Sequence, residues 1–158
     1  MRAFSREMVR RYVEIPARAC RAVDKNYMIL GMRWAWISDP DLVEGWKNFD
    51  VFSINCYAVD PTSAIQNIVD LGVDLPVMIG EFHFGALDAG LPATGLEGVL
   101  SQRDRGILIV ITVKKLQLIQ TALAAITSSA MTSLYWDALM EKTIILVCLT
   151  FVHSLTRI

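Results

Sequence analysis

The chain has 158 residues, enough for one domain with a sizeable core. Its 15 basic and 16 acidic side chains nearly cancel, so no broad positive field marks it for nucleic acid. Cys20, Cys56 and Cys148 share no CxxC spacing and cannot all pair, so they are read as buried apolar residues of a reducing compartment or as incidental, with no metal site implied.

The opening stretch MRAFSREMVRRYVE is charged throughout and lacks the apolar core of a signal peptide. The spacing of Met8, Val9, Tyr12, Val13, Ala17, Cys20 and Val23 predicts an amphipathic helix, which Pro16 should kink or restart. YMILGMRWAW, a continuous apolar run, predicts a strand covered on both faces. SDPDLVEGWKNF offers Ser38 or Asp39 as a cap ahead of Pro40 and predicts a short helix. DVFSINCY reads as a second strand. DPTSAIQNIVDLG repeats the order of cap, proline and helix, with Gly72 as its C-cap, and LPVMIGEF reads as a third strand.

These strands begin near Tyr27, Asp50 and Pro76, about 25 residues apart, with a helix in each interval. That rhythm predicts an α/β fold with a parallel sheet and its strand ends on one rim. Part of a (β/α)8 barrel and an open doubly wound sheet both fit. Neither GxGxxG nor GxxxxGK[ST] follows any strand, which favours the barrel.

In barrels the chemistry sits where strands end. The first strand delivers Arg33 and Trp34, the second Asn55 and Tyr57, the third Glu81 and His83. A carboxylate, a phenol, an indole and a guanidinium on one rim suit a sugar-binding site. Tyr57 is placed to hold Glu81 ionised by a hydrogen bond, and Trp34 to form an apolar platform under a sugar ring. The plainer alternatives are a solvated or ion-paired Glu81, rim packing for Tyr57 and Trp34, and a hydrogen-bonded structural role for His83. With only His153 as a second histidine, neither a metal nor another cofactor is expected. The glycines of FGALDAGLPATG are read as loop turns in preference to a phosphate cradle.

YMILGMRWAW, DVFSINCY and above all PVMIGEFHFGALDAGLPATGL with the later SQRDRG resemble the second half of the catalytic barrel of clan A glycoside hydrolases, closest to the β-agarase and β-galactosidase-like branch. The likeness covers roughly residues 5–106. It implies barrel strands five to seven, with Glu81 as the nucleophile of a retaining hydrolase and Tyr57 in contact with it. The sugar site read from the strand ends themselves would draw on Tyr57, Asn55, Trp34, Arg33 and His83. Retention needs a second carboxyl about 5 Å away as acid/base. In the clan that acid is a Glu after an Asn at the end of strand four, upstream of anything present here. Asp39, Asp60 and Asp88 lie in loops on the same rim, but none matches its position. The implied parent hydrolyses β-linked, galactose-containing oligo- or polysaccharides, and the chain as it stands is expected to be inactive.

The composition breaks at one point. All 9 glycines and all 5 prolines lie at or before Gly106. SQRDRG has Ser101 three residues before Asp104, a capping-box spacing, yet ILIVITV follows, rich in β-branched residues of low helix propensity. The local alternative is an edge strand after a turn. Residues 107–158 are read as a frameshifted, apolar, helical tail without family resemblance. Shifting the frame so that each codon takes the last base of one residue and the first two of the next permits a peptide resembling the clan's helix seven, strand eight and the loop beyond. Methionine and tryptophan have single codons, so the shifted residues after Met131, Trp136 and Met140 must be Asp, Gly and Gly, as that peptide requires.

Two other readings stand beside this one. The first is a carbohydrate-binding remnant without chemistry, using Trp34 and Tyr57. The second is a membrane-associated protein, because Leu116 to Trp136 carries no charge, although its Gln, Thr and Ser content makes a weak spanning helix.

Overall fold

The computed structural model describes residues 2–90 and 92–119, together with the backbone of two strands at 122–129 and 142–149. Helix α1 (Arg2–Val23) runs as one element through Pro16. It turns Val9, Val13 and Ala17 inward, one per turn. On its polar side Glu7 pairs with Arg10 and Arg11, and Glu14 with Arg10 and Arg18, at the three- and four-residue spacings that face each other on a helix. The inward face is narrower than the sequence predicts: Met8, Tyr12 and Val23 are exposed, as is Cys20.

The expected strand at 27–36 is reduced to a single parallel bridge between Trp34 and Ile54. The segment still runs alongside its neighbour, with Asp50 N–H donating to Ile29 O at 2.9 Å and Asn55 N–H to Trp34 O at 2.7 Å. Gly31 interrupts regular pairing. It takes φ 72° and lies under the Phe49 ring, where a Cβ would come within 2.8 Å of the ring. Two 3-10 turns follow, Pro40–Val43 and Trp46–Asn48. Asp39 is the cap of the first, accepting from Asp41 N–H at 2.9 Å. The Arg6 Nε and Nη2 atoms both donate to Asp41 Oδ1, at 3.0 and 2.6 Å, and fasten α1 to this turn.

Strand β1 (Phe52–Asn55), helix α2 (Thr62–Asp70) and strand β2 (Val77–Glu81) form the predicted parallel unit. Asp60 accepts from Thr62 N–H at 3.0 Å and so starts α2, which buries Ile65 and Ile68, and Gly72 at φ 81° follows its end. After β2 come the paired two-residue strands β3 (Gly85–Ala86) and β4 (Gly98–Val99), then α3 (Gln102–Gln117). Ser101 caps α3 by accepting from Asp104 N–H at 3.2 Å.

Helix α3 crosses Gly106 without interruption. Beyond it the backbone forms strands where a helix was expected. β5 (Ala122–Ser129) lies parallel to β2, and β6 (Lys142–Leu149) antiparallel to β5, giving the sheet order β1-β2-β5-β6. An open strand edge offers unpaired N–H and C=O groups, and β5 takes up those of β2. The core lies between the sheet and the helices, with Phe52, Ile54, Val77 and Ile79 from the strands meeting Val13, Ile65, Ile68 and Leu116 from the helices. Cys56 is buried in it. Among the described residues no helix is long and apolar enough to cross a membrane, and the charge-free stretch from Leu116 to Trp136 falls largely outside them.

Candidate active site

Glu81 ends β2 and Asn55 ends β1, and the two stand side by side because the register slips there. Ile54 faces Ile79, yet Asn55 faces Glu81, so Gly80 is an extra residue bulged out of the pairing. A Cβ on Gly80 would lie 2.4 Å from Ser53 Oγ and 2.9 Å from Arg33 Cδ and Cγ. Only glycine leaves room for the Arg33 stem to pass and bring its head to Glu81, Nη1 to Oε2 at 3.1 Å. The other carboxylate oxygen, Oε1, accepts from Tyr57 Oη. One oxygen of Glu81 thus accepts a hydrogen bond and the other faces a guanidinium in an ion pair.

Substituting Gly80→Ala is expected to destabilise the fold by about 1–3 kcal/mol, the cost of overpacking. A lowered denaturation midpoint would show it. Ser53→Ala in the same chain should return part of the loss by removing the nearer clash. If Gly80→Ala leaves the midpoint unchanged, the bulge geometry is wrong.

The Tyr57 hydroxyl is pushed up to about 12, first by burial and then by the hydrogen bond and negative charge of Glu81. It remains a protonated donor across the neutral range. His83 stands edge-on to Tyr57, ring centroids 5.0 Å apart. Its Nε2 accepts from Leu96 N–H at 3.0 Å, the hydrogen-bonded arrangement offered above as the plainer alternative for this residue. Burial holds the imidazole below its usual value, against the opposing charges of Glu81 and Glu97.

Trp34 is half-buried and packs against the core, with its indole N–H buried and unpartnered. Asn55 Oδ1 and Ser53 Oγ are also buried without a partner. The more exposed indole on this segment is Trp36, 74% exposed, which the sequence reading passed over. Its signal was the alternation in RWAW, where alternate residues face the same way.

The three loop aspartates are committed elsewhere. Asp39 caps a 3-10 turn, Asp88 accepts from Gln102 N–H at 2.8 Å, and Asp60 bonds Thr62 and pairs with Lys115 at 3.1 Å. The Thr62 hydroxyl and N–H, with Lys115, hold Asp60 down at about 2, so it carries no proton to give near neutrality. Among the described residues no group of three His, Cys, Asp or Glu side chains is arranged to hold a metal ion. Gly90 and Gly95 take left-handed backbone at φ 85° and 77°, Gly90 at the end of a 3-10 turn. A separate groove of about 930 Å³ runs along α1 past Phe4, Met8, Tyr12, Ile29 and Phe49, and none of the site residues lines it.

The arrangement can therefore present one oriented carboxylate beside a neutral phenol and a guanidinium. No protein-family model matches the chain. Over 93 residues, 55% of this chain, it is 41% identical to β-agarase A of Vibrio sp. (strain JT0107). It spans 9% of that relative's length. In fold, 81% of the chain superposes on 19% of the agarase AgWH50C, with a TM-score of 0.66 and 30% identity. An exo-β-agarase matches over 77% of this chain and 16% of its own, with a TM-score of 0.68 and 28% identity. Sequence and fold agree that the chain is related to glycoside hydrolases of the β-agarase kind, over a stretch that is a small share of their length.

Proposed function

We propose that the chain is a segment of a (β/α)8-barrel retaining hydrolase acting on the β-linked galactan of agar, with Glu81 as its nucleophile. The observation that carries this reading is the carboxylate at the end of a parallel strand, with Tyr57 on one oxygen and Arg33 on the other. In such a reaction Glu81 attacks the anomeric carbon while a second carboxyl protonates the leaving oxygen, the two lying about 5 Å apart. The second carboxyl comes from the rest of the enzyme, because the loop aspartates here are engaged in local hydrogen bonds and an ion pair. Alone, the segment binds sugar weakly and does not turn it over. The apolar groove on α1, beside the segment from Ile29 to Trp34, is where a preceding strand and helix of the barrel pack.

Trapping tests the assignment. An activated 2-fluoro-galactoside needs no acid to expel its leaving group, so in the complete enzyme it should leave a stable glycosyl ester. Peptide mapping should find the ester on Glu81, and labelling elsewhere would end the reading.

The tail has its own proposal: residues 107–158 are translated out of frame. Support comes from the face that α3 buries. A helix in a βα unit turns an apolar stripe to the sheet. After Gly106 this one turns Leu108, Ile109, Val113 and Leu116 to the core, but it also buries Thr112, whose hydroxyl donates to Val59 O at 3.0 Å, and leaves Ile107, Val110 and Ile111 exposed.

A further inference from the structure

The chain after Glu81 closes on itself. Gly85 N–H donates to Glu97 O at 2.8 Å, beside the β3–β4 pair. A Cβ on Gly85 would stand 1.9 Å from Thr94 O, and one on Gly95 would stand 2.4 Å from His83 Nε2. The loop therefore rests directly on the imidazole. Leu96 N–H donates to that same Nε2 at 3.0 Å. An imidazole that accepts at Nε2 is neutral and carries its proton on Nδ1, whereas the protonated ring has no acceptor left. The same ring meets Tyr57 edge-on at 66°, and Tyr57 in turn donates to Glu81.

We infer that His83 is a positioning residue: as a neutral imidazole it latches the 92–99 segment through Leu96 and sets the ring of Tyr57, whose hydroxyl orients Glu81. The catalytic meaning of this role rests on Glu81 being the nucleophile, but the latch itself does not. Its pH dependence has a definite sign. Burial lowers the value for His83 from 6.5, with Arg105 acting in the same sense and Glu81 and Glu97 opposing. A histidine lowered in the folded state stabilises the latched form above the free value, and the gain is lost as pH falls through the folded value. Acid opens the loop.

Nuclear magnetic resonance of the full chain, labelled at backbone nitrogen and tyrosine rings, tests this from about pH 8 down to about pH 5. Leu96 N–H should resist solvent exchange at the upper end and lose that protection as His83 protonates. The Tyr57 ring signals should move with the same midpoint. His83→Gln places an oxygen acceptor near Nε2 and should keep Leu96 protected throughout, with the midpoint abolished. His83→Ala should leave it unprotected at every pH. An unprotected Leu96 near neutrality, protection that ignores pH, or a Tyr57 ring indifferent to His83 would each overturn the inference. If His83→Ala fails to fold, the wild-type titration and His83→Gln still decide. A Glu81 without catalytic function would leave all these signals unchanged, so the two ideas fail separately.

Discussion

Replacing Glu81 with alanine in the complete enzyme should lower turnover by on the order of 10⁴-fold or more, the scale on which hydrolases lose activity with their nucleophile. The fold should survive, since Glu81 lies at a strand end and is not part of the apolar core. Its loss leaves Tyr57 and Arg33 facing a small cavity from which the carboxylate has gone. Azide fits that space and can attack the anomeric carbon in its place. Partial recovery of turnover with azide, yielding a glycosyl azide of inverted configuration, is the expected signature. A loss without rescue would fit a binding residue equally well, and near-normal hydrolysis by the variant would remove Glu81 from the chemistry. The same measurement separates the hydrolase from a carbohydrate-binding remnant, in which alanine at this position would weaken sugar binding and touch no rate.

The second large effect concerns the tail. Coding DNA read from the last base of the Gly106 codon should give a helix whose apolar stripe lies on the buried side of α3, then a strand. Stop codons, or a peptide with no such stripe, would make the present tail genuine. The forced residues after Met131, Trp136 and Met140 are the points at which choice of codon cannot help the match. A chain carrying the shifted tail should also be more stable than the present one. Thr112 is buried on α3 while Ile107, Val110 and Ile111 stay exposed, and each large side chain moved from water to core is worth about 1.5–3 kcal/mol.

The unit from β1 to β2 was legible because its signals are local. Asp60 turns the chain into α2 through Thr62, Gly72 stops it, and the apolar runs on either side have strand length. The first strand misled because its interruption depends on Phe49, a ring from farther along the chain that Gly31 must accommodate. Pro16 forfeits one helical hydrogen bond, yet α1 continues past it, anchored on either side by Val13 and Ala17 in the core. At the site, the Tyr57–Glu81 hydrogen bond could be anticipated, since Glu81 ends one strand and Tyr57 lies just past the end of its parallel neighbour. The Arg33 contact could not. It depends on a one-residue slip at Gly80, and pairing register is a property of two strands together.

The groove along α1 has a consequence for the fate of this polypeptide in a cell. Phe4, Met8, Tyr12 and Ile15 are each more than half exposed on one helix. Chaperones bind such surfaces, and proteases remove chains that keep presenting them. A pulse-chase experiment should therefore find the 158-residue product short-lived beside any version in which those four side chains are covered. How long the molecule lasts would then be set by its bare flank, whatever the quality of the site around Glu81.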